Sequence, residues 1–157
     1  MIGLADIRQR IAAGVATGLT DAGWRESPLV VDLFGHDART IGHLVFAVGV
    51  LGTAPHALDR QSSRGGAAVR GAVAATGVVV RWAHRLRSDA HVADYDSALV
   101  AQEALVAAVL AVDADPELGI RLLALRRPEV LGDGTYVLGT VEFEVIHRLR
   151  LEPAGIV

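Results

Sequence analysis

The chain has 157 residues, 15 basic and 18 acidic side chains, a net charge of -3 and a pI near 6.0. That is one ordinary domain's worth of chain, and with 52% hydrophobic residues and no cysteine its core must form without disulfide staples. The composition excludes a disordered tail, and the slightly acidic balance argues against a protein built mainly to grip nucleic acid. All 15 basic residues are arginine, and lysine and asparagine are missing altogether, a bias that a GC-rich genome explains without any functional choice.

In chain order, Leu4, Ile7, Ile11, Val15 and Leu19 recur at spacings of three and four and predict an amphipathic first helix, which Gly14 and Gly18 weaken. Asp6, Arg8 and Arg10 interrupt the opening apolar run, so no signal peptide is expected. Gly23 and Ser27-Pro28 end the segment, and the β-branched run Leu29 to Phe34 predicts a first strand. A polar turn at Gly35 to Thr40 leads to Ile41 to Leu51, apolar at successive positions and placed as a central strand with a bulge at Gly49. Residues 53–76 mix Gly, Ser and Arg and read as a long loop or hairpin arm, a length that compact domains rarely carry without use.

From Gly77, Val78, Val80, Trp82, His84 and Leu86 alternate with Val79, Arg81, Ala83, Arg85 and Arg87, which is strand periodicity. Asp94 or Asp96 is the expected cap of a second helix whose packed side carries Leu99, Val106, Val109 and Leu110, and Pro116 ends it. Its longest apolar stretch, Ala104 to Val112, is about half of the roughly 18 residues that suggest a membrane span. Ile120 to Leu125 predicts another strand. The turn Gly132-Asp133-Gly134 precedes the last, Thr140 to Leu151, where Val141, Phe143 and Val145 alternate with Glu142 and Glu144. The order helix, three strands, helix, two strands defines an α+β domain: one mixed or antiparallel sheet of about five strands, with two helices on one face and a long arm.

No pattern in the chain points to catalysis. There is no strained G-x-S-x-G elbow and no thiol, while Ser62 and Ser63 sit in the arm rather than on a rigid element. The glycines at 65–66 and 132–134 lack phosphate-loop spacing and read as turns. Six histidines (His36, His43, His56, His84, His91 and His147) form no H-x-x-x-H pair, so no metal ligand is assigned, and His84 and His147 read as hydrogen-bonded core residues. Asp113, Asp115 and Glu117 lack the glycine and distal glutamate of a calcium loop and read as a solvated turn. Arg60, Arg64 and Arg70 in the arm, with Arg81, Arg85 and Arg87 beyond it, make a local basic stretch. It reads equally as an interface for phosphate or an acidic partner and as a charged strand edge that discourages pairing. Without interleaved aromatics it offers no stacking platform for single strands.

The segment VVVRWAHRLRSDAHVADYDSALVAQEALVAAVLA, residues 78–111, resembles the strand-to-helix core of tail terminator proteins of long-tailed bacteriophages. GTYVLGTVEFEVIHRLRL, residues 134–151, is similar to their closing strand, and the first helix and the arm fit the same pattern. The resemblance implies a structural virion protein without catalytic residues or cofactor, made in the host cytoplasm and placed at the head-proximal end of the tail. It would form a six-subunit ring on the tail tube protein, stop tube polymerisation and receive the head-tail connector or stopper protein, with genomic DNA passing through the lumen and no membrane involved. Under that reading Arg81, Arg85 and Arg87 face a neighbour or the DNA channel. Glu142, Glu144, Arg148 and Arg150 line a subunit contact, and Arg60, Arg64 and Arg70 project in the arm. The alternatives are another neck protein, such as an adaptor or stopper, the same part in a gene transfer agent, and, from a different class, a nucleic-acid-binding module using the Arg60 to Arg87 stretch. A small enzyme, the remaining class, has no candidate constellation in the sequence.

Overall fold

The computed structural model describes residues 2–35, 41–56, 73–114, 118–131 and 133–148. Its elements in order are α1 (Leu4–Gly18), β1 (Arg25–Glu26), β2 (Val45–Pro55), β3 (Val73–Arg85), α2 (His91–Ala111), β4 (Leu118–Leu125), β5 (Glu129–Val130) and β6 (Tyr136–Arg148), with short 3-10 turns at Val31–Leu33 and Val112–Ala114. The fold is α+β. The strands form one six-stranded mixed sheet in the order β1-β2-β3-β6-β4, with β5 also on β6. Among the described residues, only β1 and β2 run parallel.

Periodicity decides which face is dry. Val78, Val80 and Trp82 of β3 and Val141, Phe143 and Val145 of β6 point to one side of the sheet. There they meet Ile7, Ile11 and Val15 of α1 and Ala98, Leu105 and Val109 of α2 in one buried cluster. Trp82 lies at its centre, edge-on to Trp24 at a ring separation of 6.4 Å. Gly139, opposite Trp82 across β3 and β6, leaves room for the indole, since a Cβ there would fall 2.0–2.2 Å from three ring atoms. Gly14, which lowers intrinsic helix stability, is where α1 meets the turn after α2: a Cβ would come within 2.2 Å of Val112.

Several expectations are corrected. Leu29 to Phe34 is not a strand. Ser27 Oγ accepts from the Leu29 N–H, and the chain then closes a 3-10 turn with bonds from Leu33 to Val30 and from Phe34 to Val31. Its apolar residues serve as a cover, for Phe34 is buried with Ile41, Val45, Ala47 and Ala83 on the sheet face away from the helices. That cover explains why β2 is buried on both faces from Val45 to Gly49 although it pairs with only two residues of β1 on its outer side. Gly49 is not the bulge, which falls between Val50 and Gly52; Gly49 is where Val31 comes down on the sheet, since a Cβ there would lie 2.1 Å from Val31 Cγ1. The strand begins at Val45 rather than Ile41, after Leu44 at a φ of 52°.

The cap of α2 is Ala90, without a side-chain bond, and Asp94 in the first turn bonds to Arg87 instead. The buried side of α2 carries Ala98, Gln102, Leu105 and Val109, while Leu99 and Leu110 are exposed. Alanines and apolar residues run almost all round this helix, so spacing alone does not select its packed face. Three strands follow α2 rather than two, because Glu129–Val130 adds a short rung to β6. Of the expected arm at 53–76, Thr53–Pro55 and Val73–Thr76 are paired strand, and residues 57–72 lie outside the described residues, as do the expected turn at residues 36–40, Pro116, Gly132 and the strand end at residues 149–151.

Candidate functional site

Glu142 and Glu144 lie on the sheet face away from the helices, where each meets an arginine from the edge strand β4 or just beyond it. Arg121 Nε is 2.6 Å from Glu144 Oε2, and Arg126 Nε donates to Glu142 Oε1 at 2.7 Å. Sequence reasoning set these glutamates beside Arg148 and Arg150 and missed Arg121 and Arg126, because the pairing depends on register across strands. The arginine side chains are 63% exposed, so such pairs contribute at most about 1 kcal/mol each and serve mainly as a charged surface. Arg148 is exposed at the end of β6, where its carbonyl accepts the Ile2 N–H at 3.0 Å. Arg60, Arg64, Arg70 and Arg150 lie outside the described residues.

The remaining arginines do not form one basic stripe. Arg81 is half-buried and reaches the Val31 carbonyl at 3.4 Å. Arg87 gives Nε, Nη2 and its own peptide N–H to Asp94, at 3.1, 2.8 and 2.7 Å. The hydrogen bonds from the Arg87 side chain and backbone hold the Asp94 carboxyl far below the usual carboxylate range. Arg85 is exposed at the end of β3.

The sheet also presents apolar side chains at its β4 edge. Leu122, Leu123 and Leu125 are 41–51% exposed, and among the described residues β4 pairs on one side only, with β6. At the opposite edge, β2 from Leu51 to Pro55 is exposed.

His84 and His147 are buried and bonded, as their strand positions suggested. His147 Nε2 shares a 2.7 Å bond with Thr76 Oγ1, which is 2.8 Å from Thr53 Oγ1, tying together the base of the β2-β3 hairpin. His84 stacks edge-on against His43 at a ring separation of 4.6 Å, at the wall of a polar pocket. Sequence reasoning gave His43 no partner, because it lies before β2 and meets β3 only through the hairpin. Among the described residues, no group of three or more His, Asp or Glu is arranged to hold a metal ion.

Desolvation lowers the pKa of His147 and, together with the charge of His84, that of His43. Both native groups therefore resist protons that the unfolded chain, titrating near 6.5, accepts. Their contribution is intact above pH 6.5 and is lost as pH falls through the depressed native values. A melting series from pH 7.5 to pH 5 should show a falling Tm, and His147→Gln should flatten part of that slope. An equally steep slope in the variant would place the titration elsewhere.

No protein-family model matches the chain, and no curated protein sequence matches it.

Proposed function

We propose that the protein is a ring-forming structural component of the tail terminator class, which caps a tail tube, stops its polymerisation and offers a docking surface to the head connector. One observation carries this reading: among the described residues the sheet ends on one side at β4, which pairs only with β6 and presents half-exposed leucines, and on the other at β2, whose Leu51–Pro55 run is exposed beyond its two-residue pairing with β1. Unlike edges at opposite sides of one sheet suit head-to-tail contacts, which close into rings when the rotation per subunit permits. An open edge with apolar side chains is also an aggregation hazard unless a partner covers it. The stretches that resemble tail terminators fall on β3, α2 and β6, the framework between those edges. The nucleic-acid-binding alternative has less to draw on, since Arg81 reaches the Val31 carbonyl and Arg87, though exposed, is engaged by Asp94.

Native mass spectrometry tests the contact. The wild-type chain is expected to form a closed oligomer, alone or with tube protein. Leu123→Glu, at the exposed bulge of β4, should leave the Tm nearly unchanged and return the chain to monomer. A wild-type chain that stays monomeric even with tube protein, or an oligomer that tolerates Leu123→Glu and Leu125→Glu together, refutes this use of the edge.

A further inference from the structure

Leu44 is held in a conformation that its own side chain disfavours. Among the described residues it is the one non-glycine residue with a positive φ, 52°, and such residues persist only where their neighbours fix them. Three contacts fix this one. Its carbonyl accepts the Arg25 N–H at 3.1 Å, its side chain packs against the main core, and the residue before it, His43, accepts the Arg85 N–H through Nδ1 at 3.2 Å. The last contact replaces a strand rung. Continuing the β2-β3 register two residues back from Val45 and Ala83 sets residue 43 opposite Arg85, but the backbone turns at Leu44 and the imidazole supplies the acceptor instead.

That acceptor works only while His43 is neutral. A peptide N–H only donates, so Nδ1 keeps its lone pair and the ring proton sits on Nε2. A second proton has one place to go, Nδ1, where it would point at the Arg85 N–H and end the bond. The surroundings oppose the new charge. The ring stands edge-on to His84 at 4.6 Å, Arg85 and Arg87 share the pocket wall, and the Arg25 guanidinium of β1 lies beside Gly42. Asp94, the carboxylate in the pocket lining, is already engaged by Arg87 through three hydrogen bonds. Burial first, then His84, Arg85 and Arg87, hold the His43 pKa below 6.5 against the pull of Asp94. The contact is therefore intact above pH 6.5 and is lost as pH falls through the depressed native value. His84 gives no such switch, because its Nδ1 donates to the Arg85 carbonyl at 2.9 Å whether or not Nε2 is protonated.

We propose that His43 is a proton-operated latch: the neutral ring clips residues 41–44 to the end of β3, and protonation frees them together with the β1 rung that the Leu44 carbonyl holds. Release has two local consequences. Ile41 loosens from the Phe34 cover, and the outer edge of β2, exposed from Leu51 to Pro55, opens at Val45 as well. The device lies within one chain and does not depend on the ring reading. Hydrogen exchange of the full chain, followed by NMR at pH 7.5 and pH 5 and expressed as protection factors so that the intrinsic pH dependence cancels, is the test. The Arg85 and Arg25 amides report the latch, while Val80 and Val141 in the middle of the sheet report the whole fold. Relative to those two, protection at Arg85 and Arg25 should fall about tenfold at pH 5, the loss of one hydrogen bond, with the midpoint of the His43 ring titration. His43→Asn, whose Oδ1 accepts where Nδ1 does but takes up no proton, should keep the protection at both pH values. His43→Phe, which has no acceptor, should lack it at both. Protection at Arg85 that is unchanged at pH 5 in the wild type, a loss that persists in His43→Asn, or a His43→Phe chain that keeps Arg85 protected at pH 7.5 would each overturn the proposal.

Discussion

Trp82→Ala is expected to destabilise the fold by about 3–5 kcal/mol, the range for removing a fully buried aromatic side chain. The indole fills the space between the sheet and the helices, contacts Trp24 edge-on and rests on Gly139. Gly139→Ala attacks the same contact from the other side. With three ring atoms 2.0–2.2 Å from the new Cβ, either Trp82 leaves its rotamer or β3 and β6 separate, so the cost belongs at the upper end of the about 1–3 kcal/mol typical of overpacking. The two effects are coupled. In a Trp82→Leu background the methyl at Gly139 meets a smaller side chain, and Gly139→Ala should then cost much less than in the wild type. Chemical denaturation of the four chains measures this; additive effects would mean that Gly139 matters for some reason other than the indole.

Gly49→Ala should release the cover on the opposite face. Its Cβ would fall 2.1 Å from Val31 Cγ1 and 3.0 Å from Val31 Cβ, so the 3-10 turn at Val31–Leu33 must lift. Lifting it uncovers Phe34, Val45, Ala47 and Ala83, and a loss of about 1–3 kcal/mol is expected. Because the core between sheet and helices is untouched, the change should be local. Hydrogen exchange is expected to accelerate in residues 30–35 while the amides of β3 and β6 keep their protection. Uniform acceleration across the sheet would show that the cover is integral to the main core.

The same contacts explain what the sequence disclosed. β6 is legible because one face is dry and the other only half-buried, so alternation survives along the strand, whereas in β3 the same alternation is blurred where Val79 and Ala83 are buried on the second face as well. Leu29 to Phe34 misleads because its β-branched, apolar composition suits a cover as well as a strand, and only the Ser27 side-chain bond and the 3-10 bonds decide between them. The packed face of α2 is hidden by alanine, which is tolerated on every side of a helix. Asp94 looks like a cap, yet its partner Arg87 belongs to the connection between β3 and the helix. Of the candidate surface, the charges of Glu142 and Glu144 are visible in the sequence, but Arg121 and Arg126 reach them only through sheet register. His43 and His84 meet only once the β2-β3 hairpin is formed.

Tail length tests the central claim most directly. Particles assembled without this protein, viewed by negative-stain electron microscopy, should show tubes longer than normal and detached from heads. Tails of normal length lying beside filled heads would contradict termination of the tube and assign the protein to the connector instead.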